Sequence, residues 1–237
     1  MLLLGIDFGT TRTVVAAVDR GNYPIVSFQA ESGETLGWYP SVVATRGEEL
    51  LFGFDAATKQ SHPDWLVVRS FKRWLGSTGP YEALALGQKR ISALQLLTEF
   101  LSQLRRDLIA RSNLHIKARE RLQAMISVPA NANSNQRFIT IEAFRNAGFD
   151  IRGMINEPSA AGIEYAHHLT TSGAAAKRET LLVYDLGGGT FDSSVISLAD
   201  RDHQVLSSEG IAKLGGDNFY IILLDMALKA ADIQEIS

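Results

Sequence analysis

The chain has 237 residues, a formal net charge of −3 at pH 7 and no cysteine. The small net charge excludes a general attraction to nucleic acid or to an anionic membrane, and the lack of cysteine excludes disulfides and thiolate metal sites. Hydrophobic residues make up 46% of the sequence and charged residues 21%, which is ordinary for a globular protein with one large or two small domains. No apolar run approaches the length of a membrane span, so we expect a cytoplasmic protein that contacts neither nucleic acid nor membrane.

The first 28 residues predict three strands joined by tight turns. A continuous apolar run over residues 2 to 8 is typical of a buried central strand, and β-branched residues predict a second strand over residues 13 to 18. A polar turn at residues 19 to 22 leads to a third predicted strand at residues 23 to 28. The first of these turns has the sequence Asp7-Phe8-Gly9-Thr10-Thr11.

The middle of the chain alternates predicted strands and helices. The clearest helix covers residues 91 to 109, where five leucines recur at three- and four-residue steps and form an apolar stripe that we assign to the core. The other expected elements are strands at 40–45, 123–128 and 151–155, and helices at 54–60, 71–75, 134–147 and 158–168. Residues 170 to 177 are small and polar and predict a linker.

A second set of three strands is predicted after the linker, at residues 180–184, 193–198 and 203–211, followed by a helix at 217–231. The turn between the first two strands lies within Asp185-Leu186-Gly187-Gly188-Gly189-Thr190-Phe191-Asp192. Glycine tolerates positive φ and lets N–H groups converge on an anion, because no Cβ blocks the approach. This turn therefore predicts a phosphate cradle rather than a plain hairpin turn.

The two sets of strands read as two copies of one unit. Each begins with an apolar strand that ends in an aspartate, Asp7 or Asp185, and a glycine-threonine turn, and each continues through a polar turn to a third strand. Two such units predict two similar lobes with a cleft between them. The glycine turns could bind a triphosphate from both sides, and Asp7 and Asp185 could hold a hydrated magnesium ion.

Several motifs, in the same order, resemble those of the heat-shock protein 70 (DnaK-type) chaperone family. The two aspartate-glycine turns are similar to the family's two phosphate loops, and Ile155-Asn156-Glu157-Pro158-Ser159-Ala160-Ala161 resembles its connecting helix. The other matching motifs are Lys72-Arg73, Ser127-Val128-Pro129-Ala130, Gln136-Arg137 and Leu214-Gly215-Gly216-Asp217. The resemblance runs from residue 4 to about residue 230.

The resemblance implies an α/β protein with the actin-like ATPase (ribonuclease-H-like) fold. The first lobe would comprise residues 1–178, with a core formed by residues 1–38 and 113–178 and an inserted subdomain at residues 39–112. The second lobe, residues 179–237, would be truncated.

The resemblance also implies ATP or ADP binding with Mg²⁺, and ATP hydrolysis. Lys72 would position the attacking water, with Glu157, Asp192 and Thr190 as the other catalytic residues, while Asp7 and Asp185 would bind Mg²⁺ through water. The implied nucleotide contacts are Gly9, Thr10, Thr11, Arg12, Gly187, Gly188, Gly189, Thr190, Gly215 and Gly216. Pro129 and Arg137 would pass the nucleotide state toward a partner domain.

The sequence departs from the family pattern in composition and in length. Asn131 and Ala132 replace aromatic residues, and Tyr220 replaces an expected aspartate. The family's adenine-binding motif, upper second-lobe subdomain and peptide-binding domain have no counterpart, so we expect a fragment or a truncated homologue that alone binds nucleotide weakly or not at all. In the intact protein the resemblance implies unfolded peptide, a J-domain co-chaperone and a nucleotide-exchange factor as partners.

Two other functions remain open at this stage. Sugar and acid kinases of the same superfold also carry Asp-x-Gly-Thr-Thr loops, although the Asn156-Glu157-Pro158 segment favours the chaperones. A truncated second lobe would also leave an open strand edge. Under this alternative, the chain would be a non-catalytic binding or assembly module that pairs with another chain through this edge.

Overall fold

The computed structural model of the chain describes residues 1–117, 119–171, 180–199, 202–211 and 214–231. The helices are α1 (Gly53–Ala57), α2 (Ala93–Ala110), α3 (Ser134–Asn146), α4 (Glu157–Thr171) and α5 (Gly216–Ala230), with a 3₁₀ helix at Phe71–Gly76. The strands are β1 (Leu2–Phe8), β2 (Arg12–Ala17), β3 (Phe28–Gln29), β4 (Thr35–Leu36), β5 (Tyr39–Pro40), β6 (Val42–Arg46), β7 (Glu49–Phe52), β8 (Leu66–Arg69), β9 (Ala83–Leu86), β10 (Lys89–Ser92), β11 (Leu122–Val128), β12 (Asp150–Asn156), β13 (Thr180–Leu186), β14 (Phe191–Ala199) and β15 (Asp202–Ile211).

The first sheet has the strand order β12-β11-β1-β2-β5. β1 pairs antiparallel with β2 and parallel with β11, and β11 pairs parallel with β12. Side chains alternate along β1, so that Leu4, Ile6 and Phe8 are buried on one face. They join a core that includes buried residues of α2 and α3, and the apolar face of α2 is the leucine stripe that its sequence predicts.

Aromatic rings attach the 3₁₀ helix to this core. Phe71 is 1% exposed, and its ring lies 5.7 Å from that of Phe8 and 5.2 Å from that of Phe100. Such ring pairs favour tilted and edge-on contacts of this kind. Because Phe71 is buried in the centre of the core, the backbone position of the next residue, Lys72, is fixed relative to β1.

A buried polar network connects α2 to the strands of the first half. The Tyr39 hydroxyl donates to Asp107 Oδ2 at 2.6 Å, and Arg111 contacts both Asp107, at 3.3 Å, and Asp55, at 2.8 Å. Burial is the main cause of the raised pKa of Asp107, opposed by the hydrogen bonds from Tyr39 and Gln103. A buried carboxyl requires such partners, since unpaired polar groups are costly to bury.

The prediction of a regular third strand at residues 23 to 28 is wrong. Residues 23 to 26 run beside β2, with hydrogen bonds from Ala17 N to Pro24 O and from Val26 N to Val15 O, but form only an isolated bridge at Ile25. Pro24 has no N–H to donate, which interrupts the ladder. On the side of β2 that faces away from β1, the neighbouring strand in the sheet is instead the two-residue β5.

The short strands β4, β7, β8, β9 and β10 were not predicted, and the last three show where the sequence pattern is weakest. These three lie between residues 66 and 92, where apolar residues are interspersed with charges. Ile91 belongs to β10 rather than to α2, because Ser92 caps the helix by accepting a hydrogen bond from Gln95 N at 3.2 Å.

The second sheet is antiparallel with the order β13-β14-β15. β13 and β14 extend beyond their predicted ends and form a hairpin whose turn is residues 187–190, closed by a bond from Gly187 N to Thr190 O at 2.9 Å. Asp185 and Asp192 are cross-strand partners at its base. Residues 172–177 of the predicted linker, and residues 200 and 201 of the predicted polar turn, lie outside the described residues.

The second sheet and α5 leave much apolar surface exposed. No described residue of α5 is buried. Its exposed large apolar residues and those of the sheet are Leu182, Tyr184, Leu186, Leu206, Ile211, Phe219, Tyr220, Ile221, Ile222, Leu223, Leu224 and Met226. An apolar surface of this extent is typical of an interface rather than of a solvent-facing side. Among the described segments, no helix combines the length and apolar character needed to span a bilayer.

Candidate functional site

The two glycine turns meet in the structure. We define the first glycine turn as residues 9–11, between β1 and β2, and the second as residues 187–190, between β13 and β14. A Cβ atom added to Gly188 would lie 2.3 Å from Thr11 Cγ2, and one added to Gly189 would lie 2.7 Å from Thr10 Cγ2. The structure therefore brings together the phosphate-binding residues predicted in the two halves of the chain.

The N-terminus of α5 supports the second glycine turn from behind. Gly216 N donates to Gly187 O at 3.0 Å and Asp217 N donates to Gly188 O at 2.8 Å. These bonds satisfy helix N–H groups that otherwise lack intrahelical partners. Gly215 and Gly216, predicted as nucleotide contacts, thus pack against the turn itself.

Lys72 forms an ion pair with Glu157. The Lys72 Nζ to Glu157 Oε1 distance is 3.0 Å, and the two side chains are only 11% and 19% exposed. Lys72 comes from the 3₁₀ helix and Glu157 begins α4, directly after β12. The pair joins the 3₁₀ helix to the end of the first sheet.

Four carboxylates share the single positive charge of Lys72. Burial is the main cause of the raised pKa of Glu157, and Asp7 and Asp185 raise it further against the opposing effect of Lys72. Burial, and then the charge of Asp7, raise the pKa of Asp185. Burial, and then the charge of Asp185, raise the pKa of Asp192. The cluster carries more negative charge than it can neutralise, as expected of a site that accepts a cation.

The cluster suits a hydrated divalent cation. Among the described residues, no group of three or more histidine, aspartate or glutamate side chains is arranged to coordinate a metal directly. Mg²⁺ usually retains several waters and uses one or two protein carboxylates together with substrate phosphates. Asp7 and Asp185, one at the base of each glycine turn, fit this requirement.

Two residues that were given no role before hydrogen-bond the predicted carboxylates. Ser127 Oγ donates to Asp7 Oδ1 at 2.7 Å, since the register Ile6–Ile126 places Ser127 beside Asp7 on the neighbouring parallel strand. Asn131 Nδ2 donates to Asp192 Oδ1 at 3.1 Å. Asn131 is one of the departures from the family pattern, and that departure is the sequence feature that could have indicated a role for this residue.

Arg12 packs on an aromatic ring, whereas Arg137 donates hydrogen bonds to backbone and side-chain oxygens. The Arg12 guanidinium lies over the Trp38 ring, 4.6 Å from its centroid, a cation–π contact. Arg137 donates to the carbonyls of Pro129 and Ala130 and, at 2.9 Å, to Asn156 Oδ1. Arg137 thereby joins the ends of β11 and β12 next to the site.

Two small cavities open at the site. One of about 230 Å³ is lined by Glu157, Asp185 and Asp192, and another of about 120 Å³ by Arg73, Thr190 and Asp192. A third cavity, of about 590 Å³, lies on the outer face of the first sheet against α4. Its lining is mostly apolar, whereas polar groups converge at the glycine turns, so the turns are the candidate functional site.

Comparison with known proteins identifies the family. The family model described as Hsp70 protein matches residues 81–236, more than half of the chain. The chain belongs to the Hsp70 family. It is 37% identical to the chaperone protein DnaK of Mycoplasma mycoides subsp. mycoides, over 92% of this chain and 34% of that protein.

Two further relatives give the same result. The chaperone protein DnaK of Trieres chinensis is 36% identical over 98% of this chain and 39% of its own length. That of Phaeodactylum tricornutum is 37% identical over 94% of this chain and 38% of its own length. The chain thus spans 34% to 39% of these three relatives.

The family match confirms the resemblance based on motifs. Hsp70 membership implies the actin-like ATPase fold, and the mixed α/β architecture with several sheets agrees with it. The chain corresponds to an N-terminal part of a DnaK-type chaperone, and the sugar or acid kinase alternative is not favoured.

The carboxylate cluster predicts a pH-dependent role for Lys72 in stability. In Lys72→Met, we expect the free energy of unfolding at pH 7 to fall by about 1 to 3 kcal/mol, less than for a fully buried pair because both groups retain some solvent. A carboxyl group whose pKa is raised by folding stabilises the fold at low pH and loses that contribution as the pH rises through its folded pKa. The deficit of the variant should therefore shrink at pH 5, as measured by urea unfolding.

A double-mutant cycle separates the ion pair from general destabilisation. Glu157→Gln should cost less than Lys72→Met, because Lys72 keeps three other carboxylates, and the double variant should be more stable than the sum of the single losses suggests. Lys229→Met removes a lysine from an exposed pair with Asp225 and serves as the control. Additive effects, or a pH-independent deficit, would contradict the model of one shared charge.

Proposed function

We propose that the chain forms the phosphate- and magnesium-binding part of the ATPase domain of an Hsp70-type chaperone. The observation that carries this proposal is the meeting of two glycine turns next to the cluster of Lys72 and its carboxylates. Phosphoryl transfer depends on positioning and on electrostatic stabilisation more than on covalent groups of the protein. The two turns, Lys72 and the carboxylates support this proposal, because they are the kinds of group that such a reaction uses.

Each side chain has a role that its position supports. The backbone N–H groups of the two turns bind the phosphates, with Thr10, Thr11 and Thr190 beside them. Lys72 orients the attacking water and stabilises the charge that develops on the phosphoryl oxygens. Asp192, whose pKa is raised by burial and by Asp185, accepts the proton of that water. Mg²⁺, bound through water by Asp7 and Asp185, supplies neutralisation of phosphate charge.

We further propose the two-lobe division made from the sequence, residues 1–178 and residues 179–237. The apolar surface of β13–β15 and α5 is the inner surface of a larger second lobe in this arrangement. In the intact protein, nucleotide state would control the binding of unfolded peptide in the cytoplasm, with a J-domain co-chaperone and a nucleotide-exchange factor as partners. Arg137, bonded to the Pro129 carbonyl, is placed to pass that state onward.

The 237 residues alone should bind ATP weakly or not at all. Cavities of about 230 and 120 Å³ at the site are smaller than the roughly 300 to 1,000 Å³ of ordinary ligand pockets. By isothermal titration with MgATP, we expect a dissociation constant weaker than about 100 μM. Binding in the low micromolar range would overturn this expectation and would mean that the two turns separate readily.

Hydrolysis in the intact protein tests the proposed chemistry. Lys72→Ala should reduce the single-turnover rate by roughly 10²-fold or more and leave ATP affinity similar, as expected for a group that acts in the transition state. Lys229→Ala, far from the turns, is the matched control. An equal loss of rate and affinity would count against the role of Lys72, and phosphorylation of a small polyol in a substrate screen would favour a kinase.

The exposed apolar surface favours assembly as a second candidate function. If copies of this chain pair through α5 and the second sheet, sedimentation should give a stable dimer. Leu223→Asp should dissociate it, because Leu223 is 59% exposed on α5 and would lie in the interface. A wild-type chain that stays monomeric at about 50 μM would exclude self-assembly through this surface at concentrations where standard interfaces form.

A further inference from the structure

Arg73 connects the 3₁₀ helix to the second glycine turn. Its Nη2 donates to the Gly189 carbonyl at 2.8 Å and to Asn218 Oδ1 at 3.2 Å. The same nitrogen lies 3.9 Å from Asp217 Oδ2. One guanidinium thus contacts both the turn and the first residues of α5, which are more than 110 positions away in the sequence.

A second contact reinforces this connection. Ser70 Oγ donates to the same Asp217 carboxylate oxygen that faces Arg73. Ser70 has a φ of 59° and a ψ of 24°, a left-handed conformation that is uncommon for a residue other than glycine. Residues in such conformations persist where the surroundings determine them. Here the surroundings are the buried Phe71 ring on one side and Asp217 on the other.

The Nε atom of Arg73 is buried and has no hydrogen-bond partner among the described residues. It faces the second glycine turn, since a Cβ added to Gly189 would lie only 2.5 Å from it. Buried unpaired donors are rare and call for an explanation. The planar guanidinium presents its donors in a fork that matches phosphate oxygens.

We propose that Arg73 is a phosphate-binding and positioning residue of this site. In the absence of nucleotide its Nη2 holds the second glycine turn against the first half of the chain. When a polyphosphate occupies the turns, the unpaired Nε donates to a phosphate oxygen while Asn218 and Asp217 keep the guanidinium oriented. The second part of this inference rests on the proposed function, because it requires a phosphate ligand at the turns.

Hydrogen exchange of the unliganded 237-residue chain tests the positioning role. In Arg73→Ala, we expect amides of residues 187–190 and 216–219 to exchange about 10-fold faster or more, because local opening no longer breaks the Arg73 bonds. Arg69→Ala removes an exposed arginine of β8 and should leave these amides unchanged. Protection within α2 reports whether a variant still folds. Unchanged exchange in a folded Arg73→Ala chain would overturn the positioning role.

Arg73→Lys covers the case in which the alanine variant does not fold. Lysine keeps the charge, but its side chain ends one atom short of the Nη2 position, so its Nζ cannot contact Gly189 O and Asn218 Oδ1 in the same way. We expect faster exchange in residues 187–190 with this variant as well. Exchange equal to that of the wild-type chain would show that charge alone suffices, which would contradict the geometry argued above.

Nucleotide affinity of the intact protein tests the phosphate role. Arg73→Lys should weaken ATP binding about 10-fold or more and leave AMP binding unchanged, because the proposed contact is to the outer phosphates. An equal loss for both nucleotides, or no loss for either, would overturn the contact. If the wild-type protein binds neither nucleotide, the proposed function fails and the phosphate role fails with it, whereas the exchange result on the unliganded chain stands separately.

Discussion

The arrangement of the site depends on one electrostatic constraint, the shortage of positive charge among Asp7, Glu157, Asp185 and Asp192. Lys72 contacts this group directly, at 3.0 Å from Glu157. Burial is the main cause of each raised pKa in the cluster, and neighbouring negative charge raises each of these pKa values further. Carboxylates brought this close repel one another unless cations or protons intervene. The fold therefore places a strongly negative group next to two glycine turns, which is the pairing that we propose for a metal–phosphate ligand.

The hydrophobic core fixes the positions of residues adjacent to the site. Phe8 follows Asp7 and is buried, and Phe71 precedes Lys72 and packs on the same ring cluster. Alternation along β1 turns Phe8 into the core and Asp7 away from it. Ser127 occupies the neighbouring position on β11 by register and donates to Asp7. Asp7 and Lys72 thus each adjoin a buried phenylalanine, and packing of that ring fixes their backbone positions.

The sequence predicts local structure well here and long-range contacts poorly. Apolar runs and the leucine stripe predict β1, β11, β13, α2 and α3 with small errors at their ends, because these signals lie within a few residues of one another. Pro24 breaks the expected third strand, and β8 to β10 have no clear alternation. Lys72 would pass for a surface lysine without the family pattern, and the roles of Ser127 and Asn131 depend on partners 120 and 61 positions away. No periodicity encodes such pairs, whereas the repeated aspartate-glycine turn does suggest that two distant segments share one site.

The two glycine turns are supported in different ways, and this difference explains their glycines. The first turn continues from a strand packed on a filled core, whereas the second belongs to a sheet with Leu182 and Tyr184 exposed and to a helix, α5, without buried residues in its described length. Its order comes from Gly216, Asp217 and Arg73. At Gly188 and Gly189 φ is not in the left-handed range, so the turn conformation alone does not demand glycine. The demand comes from Thr10, Thr11 and Arg73, whose atoms occupy the space that a Cβ would need. The close contact between the two halves of the chain therefore requires glycine at these two positions. Any ligand that enters between the turns must replace that contact.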